Sequence, residues 1–319
     1  TIFINDAVAV AWMAGGFTEV ASLDPGQGTV FYLLQQTAVP TPQLYRDTRC
    51  LSCHYSTATL GVPGYLARSI PSAIDGMILP WLGNYTTDHR SPLEERWGGW
   101  YVTGRSSGRH LGNAPMADRT AQEFRIEDAN QNVSTLTDRF DTTRYLSPFS
   151  DIVALLVFDH QMRMANLLTR LGWEARVAEH DRRPDAAAAL DRAALEVVDY
   201  LLFVDEAPLA GIRGTSGFAE RFSALGPRDD KGRSLRDLDL ERRLMRYPCS
   251  YMIYSDAFDA LVPAAKDAVY RRMWRVLSGA ETDAKYAKLS ASDRRAVVEI
   301  LRETKSDLPP SFGAVTSRQ

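Results

Sequence analysis

The pentapeptide Cys50-Leu51-Ser52-Cys53-His54 constrains this chain more than any other stretch. Two thiols three positions apart, followed at once by an imidazole, suit one chemistry closely. Each thiol can form a thioether to one of two vinyl groups on one edge of a porphyrin. The next side chain then lies under the ring, where its imidazole binds the iron. A chain built around such a segment has to cover a large, flat, apolar disc that carries two carboxylates. Two other chemistries use C-x-x-C. A redox dithiol expects a thioredoxin-like βαβ context and has no use for a His directly after the second Cys. A structural zinc ion needs about four ligands. The one remaining cysteine, Cys249, stands alone, so zinc would have to draw on distant histidines.

The flanks supply candidates for the rest of such a site. Pro40-x-Pro42 predicts a stiff, extended approach to Cys50. Arg46 and Arg49 can meet a haem propionate, or can equally be solvated loop charges. After His54 runs Gly61-Val62-Pro63-Gly64. A carbonyl beside Pro63 can accept the Nδ1–H of His54, or the segment is only a turn. Residues 81–116 hold three of the six tryptophans and two of the five histidines. Trp97 and Trp100, with Trp81 and Tyr101, suit the faces of a haem, and Arg109, with Arg96 and Arg105, its propionates. The same residues also suit an aromatic core with glycine turns. His110 and Met116 share one loop and are the leading candidates for the sixth iron ligand, with Met77, His89 and His160 further options. Ligation by Met116 would raise the reduction potential relative to two histidines.

Composition narrows the class. At 319 residues and 45% hydrophobic, the chain can support a sizeable core, and a net charge of −3 with mixed signs points away from nucleic acid. No apolar run approaches the roughly 20 residues of a membrane span. Thioether attachment takes place outside the cytoplasmic membrane, so a periplasmic or extracellular location and an export signal already removed are expected. One strand is expected at Thr29–Leu34. Helices are expected at Asp151–Leu171 (capped by Ser150), Asp185–Phe203 and Ala264–Leu277, and from Ser290 to about Lys305, with a shorter one at Leu238–Tyr247. Residues 117–146 and 209–239 read as loops. The expected fold is mainly α: a cytochrome c-like haem region with long loops, 1–146, packed on a helical region, 147–319, or both as one continuous domain.

Through CLSCH the first half resembles the c-type cytochromes. Further segments are similar to an uncharacterised family of exported bacterial single-haem proteins. These are DPGQGTVFYLL at Asp24–Leu34, CLSCHYSTATLGVPG from Cys50, DHRSPLEERWGGWYVTG at Asp88–Gly104, RHLGN at Arg109–Asn113, SPFSDIVALLVFDHQ at Ser147–Gln161 and YPCSYMIYSDAFDAL at Tyr247–Leu261. The resemblance implies one covalent haem c and export, without an assigned activity. It also favours His110 over Met116 as sixth ligand. The single C-x-x-C-H departs from multihaem proteins. The expected function is an exported single-haem c-type cytochrome that transfers electrons to a redox partner protein or membrane complex. Two other classes stay open. One is a haem enzyme or a gas or redox sensor with an open sixth position, in which His89, His110 or His160 acts on a bound small ligand. The other is a haem-bearing subunit of a larger respiratory or photosynthetic complex or polymer.

Overall fold

The computed structural model describes residues 1–123, 126–182 and 184–313. Its first 46 residues form a five-stranded antiparallel sheet in chain order: β1 (Ile2–Ile4), β2 (Val8–Trp12), β3 (Phe17–Asp24), β4 (Gly28–Gln35) and β5 (Tyr45–Arg46). Each connection is a hairpin or short loop. The β3–β4 turn is closed by Asp24, whose Oδ1 accepts from the backbone N–H of Gly26 at 2.8 Å and of Gln27 at 2.7 Å. The register aligns Ile4, Ala9, Ala21 and Phe31 on one face and Val10, Val20 and Tyr32 on the other.

With 38% helix and 13% strand, the protein is mixed α/β, which corrects the expectation of a mainly α fold. The missed strands have a local reason. In β2, Val8-Ala-Val-Ala-Trp12, both faces are apolar, so the period of two that marks a half-buried strand is absent.

After β5 comes a single turn of helix, α1 (Leu51–His54), and then a long irregular stretch. Within that stretch β6 (Arg68–Ser69) and β7 (Tyr85–Thr86) form a two-stranded ladder. Residues 124 and 125 of the polar 117–146 segment lie outside the described residues.

The second half is built on α2 (Ile152–His180), 29 residues and about 43 Å long. Its cap is Asp151 rather than Ser150. The Asp151 carboxylate accepts from Val153 N at 2.8 Å, Thr215 N at 2.9 Å, Ser216 N at 2.8 Å and Ser216 Oγ at 2.7 Å. One side chain thus caps the helix and ties down the 214–216 turn. Then follow α3 (Ala186–Leu201), α4 (Phe218–Ala224), α5 (Asp256–Asp259), α6 (Pro263–Leu277) and α7 (Ala291–Thr304). Ser290 caps α7 by accepting from Asp293 N at 3.0 Å. Leu238–Tyr247 forms no helix; it folds back on itself through a Leu238–Met245 bridge, with Leu240 at φ +63°.

The largest core cluster joins α2, α3, α6 and α7. A second, smaller one lies between α2 and the sheet, where Phe158, Met162 and Ala165 meet Ala9, Tyr65 and Ala67. The Tyr65 hydroxyl donates to Ala7 O at 3.3 Å and Ala21 O at 3.0 Å, and Gln161 Nε2 to Asn5 O at 2.6 Å. The chain between sheet and helix is therefore held by both. No helix among the described residues is long and apolar enough to cross a membrane.

Candidate functional site

The C-x-x-C-H segment lies at the surface, where β5 runs into a tight turn. Asp47 caps that turn by accepting from Arg49 N at 2.9 Å, and its carboxylate also holds the Arg49 guanidinium at 2.7 Å. Arg46 reaches Gln27 Oε1 at 3.1 Å. Both arginines of the approach thus have protein partners. Cys50 is half-buried, Cys53 is exposed, and neither is in a disulfide. Burial, followed by the charges of Asp47 and Glu19, raises the pKa of the Cys50 thiol.

The ring of His54 is held firmly. Its Nδ1 lies 3.0 Å from the carbonyl oxygen of Gly64. A carbonyl only accepts, so Nδ1 carries the proton, which leaves Nε2 as the nitrogen that can offer a lone pair. Phe31 of β4 packs on the imidazole with ring centroids 4.6 Å apart. The main chain closes the same loop, since Gly64 N donates to His54 O at 2.9 Å. The carbonyl that meets His54 follows Pro63 directly.

The Pro63–Tyr65 segment is itself pinned on two more sides. Thr29 N of β4 donates to Pro63 O at 2.8 Å. From α2, Asn166 grips Tyr65 at both ends: its Oδ1 accepts from Tyr65 N at 2.9 Å, and its Nδ2 donates to Tyr65 O at 2.7 Å. Asn166 is buried, and a Cβ on Gly64 would overlap its amide. The glycine is needed here for that close approach.

Trp97 is buried, sits at φ +67°, and donates Nε1–H to Asp159 Oδ2 at 3.2 Å. Trp100 donates to Arg68 O at 3.0 Å. Arg109 is exposed and pairs with Asp128. His110 is buried edge-on to Trp97 at 5.4 Å; burial lowers its pKa to about 4, and its Nδ1 has no hydrogen-bond partner among the described residues. Met116 is 54% exposed. Asp159, the α2 residue that Trp97 bonds, is seven residues from Asn166. That is two turns, or about 10 Å, of one rigid helix. Cys50, Cys53 and His54 share one surface turn, while His110 packs on Trp97 and Met116 faces solvent.

Two of the histidines singled out in the sequence, His89 and His160, meet each other in a second polar cluster, a pairing no sequence pattern shows. His89 Nδ1 lies 2.7 Å from His160 Nδ1, and His160 Nε2 lies 2.7 Å from Ser250 Oγ. Both rings stack on Tyr200, at 3.9 and 5.1 Å, and on Phe203, at 4.8 and 4.5 Å. A 2.7 Å contact between two ring nitrogens requires one proton between them, one ring donating and the other accepting. Burial holds His89 well below its usual pKa and His160 down to about 3. Beside it, the buried Arg96 donates to Ser91 O and His89 O and approaches Asp159 at 3.4 Å. Burial outweighs that cation and raises Asp159 to about 6. The order Ser250, His160, His89 is that of a nucleophile, a base and an orienting group, but Ser250 and His160 are fully buried. No substrate reaches the hydroxyl, and the cluster serves the core.

Among the described residues, no three or more His, Cys, Asp or Glu side chains are arranged to hold a metal ion, and no haem-binding site is formed. Together with the five-stranded sheet, this overturns the resemblance to the single-haem c-type cytochromes. No protein-family model matches the chain, and neither a curated protein nor a solved structure matches it.

Proposed function

We propose that Cys50, Cys53 and His54 carry one covalently attached haem at the surface of this mixed fold, and that the protein transfers electrons through it outside the cytoplasmic membrane. The observation that carries this reading is the 3.0 Å bond from His54 Nδ1 to Gly64 O, on the ring that directly follows two free thiols. It leaves Nε2 as the metal-binding nitrogen and fixes the tautomer, which is the usual task of a group behind a ligating histidine. A haem held there supplies a reversible one-electron couple. The protein's own part is chemical and positional. Cys50 and Cys53 offer thiols at the surface, so attachment does not have to open the core. Phe31 shields one face of the imidazole. Gly64 O raises the basicity of the ring.

The burial of His110 against Trp97 and the exposure of Met116 favour a second reading, in which the sixth position takes an external small ligand and the protein is a sensor or an enzyme. The visible spectrum of protein from a host that matures c-type haem separates the two, read oxidised and reduced, with and without carbon monoxide, and followed by the alkaline pyridine assay. A thioether-haem spectrum that ignores carbon monoxide supports electron transfer. One that shifts supports the second reading. Protein without haem refutes both.

A further inference from the structure

We propose that the free edge of the five-stranded sheet, β1 (Ile2–Ile4), pairs antiparallel with β1 of a second copy of this chain, joining the two sheets across a two-fold axis at Phe3. This edge lies at the opposite side of the sheet from β5 and the Cys50–His54 turn, and the pairing does not depend on haem.

The backbone groups of β1 set the direction. Thr1 N donates to Trp12 O at 2.9 Å, Trp12 N donates to Thr1 O at 2.8 Å, and Asn5 N donates to Val8 O at 3.0 Å. Bonded residues alternate along an antiparallel ladder, so Thr1, Phe3 and Asn5 turn their N–H and C=O groups toward β2. Those of Ile2 and Ile4 point the other way, off the sheet. Among the described residues nothing bonds to them.

The two edges of the sheet are guarded differently. The far edge, β5, is two residues long, contains Arg46, and is reached through a loop that holds Pro40 and Pro42. A short strand, a charge and nearby prolines each discourage another strand from adding there. The near edge reads Ile2-Phe3-Ile4, all strong strand formers, with no charge, proline or glycine. Ile2 and Phe3 are each 38% exposed. An edge that carries none of these guards suits a strand that is paired in solution.

Pairing with itself satisfies this edge. With Phe3 of one copy opposite Phe3 of the other, Ile2 of each copy meets Ile4 of its mate. Each Ile2–Ile4 pair exchanges two hydrogen bonds, which uses every outward N–H and C=O of both strands. The two Phe3 side chains then stand at the closest-approach position of the ladder, on the face that Val10, Val20 and Tyr32 continue. No like charges oppose the contact: β1 has none, and Asp6, just beyond it, is held by Arg236. The same strand serves on both sides, so the contact closes at two copies. Three residues per copy cover far less than the roughly 800 Å² per partner of a standard stable interface, so the dimer is weak and concentration-dependent.

Sedimentation equilibrium over a wide concentration range tests this on the wild type, Ile2→Pro, Phe3→Lys, Phe3→Glu and an equal mixture of the two Phe3 variants, each checked for folding by circular dichroism. The wild-type mass rises with concentration from one chain to two and stops there. Ile2→Pro removes an N–H that the internal ladder does not use, so the fold stays and the dissociation constant rises roughly 25-fold, about fivefold for each of two lost bonds. Phe3→Lys and Phe3→Glu are each monomeric alone and dimerise when mixed, because this register sets the two side chains opposite each other. A wild type that stays monomeric throughout, a dimer that Ile2→Pro leaves unchanged, or a mixture of folded Phe3 variants that stays monomeric overturns the inference. A mass that climbs past two copies does the same. So does a monomeric wild type that binds a synthetic Thr-Ile-Phe-Ile-Asn peptide, which assigns the edge to a strand of another protein.

Discussion

Replacing Asp151 with alanine tests the packing logic of the second half. The carboxylate accepts four hydrogen bonds and is almost fully buried. Loss of the bond to Val153 N removes the cap of α2, at about 1 kcal/mol. The other three go to Thr215 and Ser216, which are half-buried, so water recovers part of each loss. About 1 kcal/mol per bond is a fair allowance after that discount. The total, about 4 kcal/mol, is a large share of the roughly 5–15 kcal/mol that holds a typical domain. Asp151→Asn keeps one acceptor oxygen and loses about half as much. Urea unfolding followed by far-ultraviolet circular dichroism reads both variants, with stability taken from midpoints at constant slope. An alanine variant within about 1 kcal/mol of wild type refutes the claim that one side chain serves both the helix and the turn. An asparagine variant as damaged as alanine does the same.

Other expectations concern the buried charges and the site. His89 and His160 lie below their ordinary value because of burial, so the unfolded chain takes up protons that the folded chain refuses; their contribution is full above about pH 6.5 and is lost as pH falls. Asp159, raised to about 6, and Glu206, raised to about 7, act in the opposite sense and stabilise the fold as pH drops toward their unfolded values. His160→Asn removes one of the destabilising protons, so between pH 6 and 4 its stability falls less steeply than wild type by about 1.4 kcal/mol per pH unit; equal slopes in urea titrations count against the buried neutral pair. Asp159→Ala strands the Arg96 cation and costs about 3 kcal/mol, whereas Asp159→Asn, which still accepts from Trp97, costs about 1 kcal/mol; equal losses by thermal or urea unfolding contradict this. In haem-loaded protein, Met116→Ala leaves the visible spectrum unchanged because the side chain lies exposed to solvent; a change to a high-spin spectrum restores Met116 as sixth ligand.

What the sequence carried differs sharply between the two halves. The helices α2, α3, α6 and α7 have apolar stripes, α2 and α7 have capping side chains and α6 starts on a proline, and those signals are local, so they survive without knowledge of partners. The sheet depends on pairings between segments whose own patterns are blurred. Val8–Trp12 is apolar on both faces, and Gly15-Gly16 reads as the end of an apolar run as well as the turn into β3. Within the site, the motif and the Pro63–Gly64 turn were legible because they lie within fifteen residues of each other. Asn166 was not, since nothing in ANLLTR distinguishes an amide that grips a backbone 101 residues away from an ordinary helix-surface residue. The pairing of His89 with His160 was hidden for the same reason, being 71 residues apart with no shared pattern.

The third cysteine gives the molecule a built-in gauge of its own opening. Cys249 is fully buried, and burial pushes its thiol up to about 12. A thiolate there is scarce and no reagent reaches it, while Cys53 stands in solvent and Cys50 half so. In haem-free protein, a thiol reagent labels the motif pair at once and then waits. The slow third label counts how often the core around Tyr251 and Phe258 comes apart, with no probe added by design.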